Sequence, residues 1–159
     1  YNPSVARWNM ATGEINPMPY EYPDLKKVRF IYAASAEHQL YVQCYTQYDL
    51  MTICDFNGNL KCNIYGPKWV NEKTQTQHYS LGVEFCGDKI LALYSGGDHR
   101  TDAYYPTKFL VFDLNGNYLK TLETGYMITD FCYDKENNRL IINLNDEIQF
   151  AYLDLEGII

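Results

Sequence analysis

Short runs of alternating apolar and polar residues fill this chain, separated by clusters of Asp, Asn and Gly, and no stretch sustains a helical period. The clearest run is residues 108–122, KFLVFDLNGNYLKTL. Phe109, Val111 and Leu119 mark apolar positions on either side of Asp113-Leu114-Asn115-Gly116. An Asp side chain accepts hydrogen bonds from the backbone two residues on, and Asn and Gly tolerate positive φ, so the segment reads as strand, tight turn, strand. The hairpin recurs at residues 50–64, LMTICDFNGNLKCNI, turning at Asp55 to Gly58, and at residues 150–159, FAYLDLEGII, turning at Asp154 to Gly157.

The similarity extends upstream. Residues 31–44 (IYAASAEHQLYVQC) align without a gap to 131–144 (FCYDKENNRLIINL), placing Leu40 on Leu140, Tyr41 on Ile141 and Val42 on Ile142. Residues 85–94 (FCGDKILALY) repeat the motif with a shorter turn and set Phe85-Cys86 against Phe131-Cys132. Each unit therefore predicts four short antiparallel strands, in the middle copy near 83–86, 90–94, 109–112 and 118–122. Such a unit, recurring about every 40 to 58 residues, is the sign of a β-propeller blade. The expected fold is all-β, with partial or complete blades at 1–22, 28–66, 81–125 and 127–159. Residues 16–27, NPMPYEYPDLKK, form a Pro-rich connection that interrupts pairing.

The hydrophobic-Asp-x-x-Gly hairpins and the Phe-Cys inner strands resemble the six-bladed propellers of the TolB-like and NHL-like group. That group is common in secreted or lipid-anchored proteins of Bacteroidetes. The resemblance implies an incomplete arc of a six-bladed propeller and a periplasmic, cell-surface or extracellular location, and it carries no catalytic residues onto this chain.

Composition narrows the partners. A net charge of -7 with no Lys/Arg cluster argues against nucleic acid and anionic membrane surfaces. No apolar run approaches the roughly 18 residues of a spanning helix. Five cysteines without a CxxC spacing (Cys44, Cys54, Cys62, Cys86 and Cys132) predict reduced, mostly buried thiols. The 16 tyrosines suit strands, and also binding surfaces, where an apolar ring carries a polar tip.

In a sheet of four antiparallel strands, the connections after strands 2 and 4 emerge on one side and those after strands 1 and 3 on the other. The first class is long here: residues 16–27, 66–80, 95–107 and the shorter 145–147. Long loops on a rigid scaffold are where binding concentrates. The candidate ligand-binding residues are Trp69, His78, Tyr79, Asp98, His99, Arg100, Asp102, Tyr104 and Tyr105, with Tyr20 and Tyr22 as neighbours on the same side. Arg100 and the carboxylates would hydrogen-bond a polar ligand while Tyr104 or Tyr105 stacks on it. The function expected is a non-catalytic binding or scaffold propeller that recognises a glycan or a peptide and needs no cofactor.

The alternative is a lactonase-like, metal-dependent hydrolase. Its central calcium would be held by channel-facing groups such as Glu84 and Asp130, which precede Phe-Cys on two inner strands. No GxSxG, HExxH or phosphate-binding glycine loop is present. The last expectation concerns the ends of the arc. Missing blades or a second chain should cover its open faces, which would otherwise leave side chains such as Phe109 and Phe131 partly uncovered.

Overall fold

A computed structural model describes residues 5–18, 25 and 28–159. Strands β1 (Ala6–Trp8) and β2 (Ile15–Pro17) form an antiparallel hairpin. Strands β3 (Phe30–Ser35), β4 (Leu40–Tyr45), β5 (Leu50–Asp55) and β6 (Leu60–Tyr65) make the first four-stranded sheet. The second sheet holds β7 (Thr76–Cys86), β8 (Lys89–Asp98), β9 (Lys108–Asp113) and β10 (Tyr118–Glu123). The third holds β11 (Ile128–Asp134), β12 (Arg139–Leu144) and β13 (Phe150–Asp154). Every pairing is antiparallel, neighbours in each sheet follow chain order, and the one helical element among the described residues is a 3-10 turn at Asp102–Tyr104. Tyr20 and Tyr22 lie outside the described residues.

The sheets stack face to face, with β3 beside β7 and β7 beside β11, so that first strands adjoin. Alternation along β8 supplies both interfaces of the middle sheet. Ile90, Ala92 and Tyr94 join Val42, Cys44, Met51 and Ile53 of the first sheet. Leu91 and Leu93, with Phe109 and Val111, meet Leu140, Ile142 and Leu144 of the third. Phe109 and Phe131 are therefore not partly uncovered as expected. They pack edge to face across the second interface, centroids 4.9 Å apart, and are 0% and 6% exposed. Exposed apolar side chains include Trp8, Ile15 and Tyr32 towards one end and Ile148, Phe150 and Tyr152 towards the other.

Register corrects the gapless alignment. Leu40 pairs with Asp55, Lys89 with Asp113 and Arg139 with Asp154, so Leu40, Lys89 and Arg139 occupy the same place in their sheets. Leu40 does not correspond to Leu140, because the alignment runs one residue out of step. Side chains alternate across a strand, so that slip exchanges the two faces. In the true register Tyr41, Ile90 and Leu140 share one face, and Val42, Leu91 and Ile141 the other. Glu84 and Asp130 are likewise not equivalent, since Glu84 pairs with Leu91 and Asp130 with Asn143.

The first two repeated turns are near copies. Asp55 Oδ1 accepts from the backbone N–H of Asn57 (2.8 Å) and Asn59 (2.9 Å), while Oδ2 accepts from the Asn59 amide at 2.8 Å. Asp113 does the same with Asn115 and Asn117. These donors, the Asn side-chain amide foremost, hold both carboxyls below their ordinary range. Gly58 and Gly116 supply the positive φ, at 87° and 85°. None of the five cysteines forms a disulfide. Cys44, Cys54 and Cys86 are buried, Cys62 half-buried, and Cys132 exposed, because its position on β11 faces away from the second interface.

Candidate functional site

The irregular connections on one side of the sheets are shorter than the sequence implies. Pairing of Thr76 with Asp98 and of Gln77 with Gly97 extends β7 and β8 well past the expected strand ends. His78, Tyr79 and Asp98 are consequently strand residues, and the connections proper are 66–75 and 99–107. Both are fastened to each other. His99 Nδ1 lies 2.9 Å from the Gln75 carbonyl, and Lys68 Nζ donates to the Gly96 carbonyl at 3.3 Å. Ser95 Oγ donates to the Ala103 carbonyl at 2.6 Å. The 3-10 turn closes against β8 only because residue 97 is glycine, where a Cβ would meet the Ala103 oxygen at 1.9 Å.

Within the second connection the charges pair locally. Arg100 donates from Nε to Asp98 Oδ1 at 3.0 Å and from Nη2 to Oδ2 at 2.7 Å, which holds the Asp98 carboxyl well below its usual range. Both partners remain accessible, Arg100 at 66% exposure of its side chain. Asp102 is exposed at the start of the 3-10 turn, and Tyr104 and Tyr105 stack on each other with centroids 4.2 Å apart. The expected division of labour, with arginine and tyrosine both turned to a ligand, is thus partly taken up inside the loop.

The first connection contributes to a different cluster. Trp69 stands edge-on to Tyr65 at 4.8 Å, tilts against Tyr48 at 6.1 Å, and borders an apolar group of Tyr45, Tyr48 and Leu50. His78 and Tyr79 are each 1% exposed, so neither is presented on the surface. Tyr79 belongs to the first interface, edge-on to Tyr94 at 5.2 Å. His78 Nδ1 lies 3.3 Å from the Tyr94 hydroxyl and 3.8 Å from Asp49 Oδ1. Burial pushes the His78 pKa down, and the Asp49 carboxylate only partly offsets this. Burial first, then Asp49, pushes the Tyr94 hydroxyl up.

Asp49 and Tyr94 were not among the sequence candidates. Asp49 sits in the short connection between β4 and β5 and is 1% exposed. Its Oδ2 accepts from the backbone N–H of Lys68 at 2.9 Å, and the carboxylate interacts with the Tyr94 hydroxyl and with His78, whose Nε2 has no hydrogen-bond partner. Gly66 makes room for the carboxylate, since a Cβ there would lie 2.2 Å from it. The one available signal was an Asp immediately before the apolar run Leu50-Met51.

Glu84 and Asp130 border a space of about 370 Å³ where β3, β7 and β11 converge. Burial, and secondarily the Asp130 carboxylate, raises the Glu84 pKa. Asp130 Oδ1 accepts from the Phe131 N–H at 2.8 Å. Among the described residues no group of three or more His, Cys, Asp or Glu is placed to hold a metal ion. No helix among them is long and apolar enough to cross a membrane.

No family model matches the sequence, and no curated protein matches it. Solved structures do. A chain of hydrazine synthase from Kuenenia stuttgartiensis superposes with a TM-score of 0.64 at 13% identity, over 97% of this chain and 40% of that one. A chain of a nidogen/laminin complex gives 0.63 at 12% identity, over 96% of this chain and 52% of that one. The fold is of the β-propeller type. At these identities the likeness concerns the fold, and this chain spans only part of the length of each of those propeller-bearing chains.

Proposed function

We propose that this chain is a binding or scaffold propeller segment that recognises a glycan or a peptide through the side bearing its long connections. The observation that carries the reading is the fastening of residues 66–75 to 95–107 through His99–Gln75 and Lys68–Gly96. Two irregular loops are thereby tied together, one carrying Trp69 and the other Arg100 and Asp102. Pre-ordering of this kind lowers the entropy cost of binding. The TolB-like or NHL-like affiliation, the extracytoplasmic setting, and coverage of the open end faces by further blades or a second chain belong to the same proposal.

Glycan and peptide arrays probed with this chain test the reading. Binding to either class, weakened in Trp69→Ala, is expected. A chain that binds neither ends the proposal.

A further inference from the structure

We infer that the cleft between the first and second sheets, on the side of the long connections, is a subsite for a neutral saccharide ring. This rests on the binding reading above and names its ligand class. The cleft lies between β6 and the β9–β10 hairpin and has a volume of about 480 Å³, within the roughly 300–1,000 Å³ of small-molecule sites.

Its walls are two tyrosines from different sheets. Tyr65 on β6 is 51% exposed and Tyr118 on β10 is 56% exposed. Both are braced. Trp69 meets Tyr65 edge-on, Phe112 meets Tyr118 edge-on at 6.0 Å, and the Tyr118 hydroxyl hydrogen-bonds Thr121 Oγ1 at 2.8 Å. Braced, half-open aromatic faces suit the apolar C–H face of a sugar ring. Asp49 lines the same cleft, 1% exposed, with its Oδ2 held by the Lys68 N–H.

Charge at the rim is paired. Lys108 Nζ sits 5.9 Å from the Tyr94 ring centre and 3.4 Å from Glu123 Oε1, offering a donor and an acceptor together. A neutral ring bearing several hydroxyls can hydrogen-bond to both without bringing a charge into the cleft. The site is built at one interface only. The corresponding cleft beyond β10 has Leu144 in the place of Tyr94, and Asp49 is the one buried carboxylate among the described residues.

Calorimetric titration with glucose, galactose, mannose, N-acetylglucosamine, maltose and cellobiose, with spermidine and glucuronate as charged comparators, tests the assignment. At least one neutral sugar should bind, and Tyr118→Ala and Glu123→Gln should each weaken it by about tenfold or more. Both positions are exposed, so these variants are expected to fold. Sugar binding that both variants leave unchanged overturns the cleft and spares the binding reading. So does a chain that binds only peptides, or one that prefers spermidine or glucuronate. A chain that binds neither sugars nor peptides overturns both.

Discussion

The middle and third sheets carry the same residue kinds at the same places and treat them in opposite ways. Phe109 and Val111 on β9 correspond to Phe150 and Tyr152 on β13, counted back from the turn aspartates Asp113 and Asp154. The first pair is 0% exposed, whereas Phe150 and Tyr152 are 68% and 64% exposed. Strand pattern is the same in both, so it prepares a face for burial without providing the cover. What differs is the neighbour. The third sheet lies against Phe109 and Val111, and no described sheet lies against β13 on that side.

The sharpest way to break the comparison is to truncate both phenylalanines. Phe109→Ala should cost about 3–5 kcal/mol in urea unfolding, the range for an aromatic removed from a packed core. Phe150→Ala should stay within about 0.5 kcal/mol if the face is open in solution. A large loss from Phe150→Ala, with light scattering above monomer mass, would show that another surface covers β13.

The turns extend the comparison. Gly116 and Gly157 both have positive φ, at 85° and 72°, but a Cβ at Gly116 would press to 2.8 Å from Cys62 Sγ while one at Gly157 meets nothing within 4 Å. Gly157→Ala should cost about 1–2 kcal/mol for the backbone alone. Gly116→Ala should cost about 2–4 kcal/mol, because crowding against the first sheet adds to it. Equal losses would mean that the turn can shift away from β6.

The two interfaces also differ in their response to pH, the smallest effect. The first contains His78, whose pKa burial depresses below its ordinary 6.5. The folded state therefore favours the neutral ring. Its contribution is complete above the unfolded value and is lost as pH falls below it, until the folded-state pKa is reached. Denaturation midpoints should fall on acidification below about pH 6.5, with a slope of at most about 1.4 kcal/mol per pH unit from this group. His78→Gln should flatten that slope, and an unchanged profile would place its origin elsewhere.

Much of the fold was legible because its punctuation is chemical. Asp55 and Asp113 announce their hairpins through side-chain acceptors that work locally, whatever packs around them. The register was misread because the alignment was anchored on apolar identity, Leu40 on Leu140, instead of on the turn aspartates, and apolar residues occur on both faces of a doubly covered sheet. Polar Thr76, Gln77 and His78 resembled a loop, yet they continue β7 because Gly96 and Gly97 let β8 bend with them. The site was less legible. Trp69 and Arg100 were nominated by residue type alone, whereas the relation of Asp49 to His78 and Tyr94 exists only after two sheets have met.

The continuous run Ile90-Leu91-Ala92-Leu93, each residue 0% exposed, has a dynamic consequence. Strand β8 pairs on both edges and packs on both faces, so its amides reach deuterium only when the whole array opens. Sheets that touch only their neighbours can fray from the ends inward. Exchange should then proceed as a wave, earliest in the β1–β2 hairpin and β13, latest in β8. The middle strand would be the clock by which global opening is read.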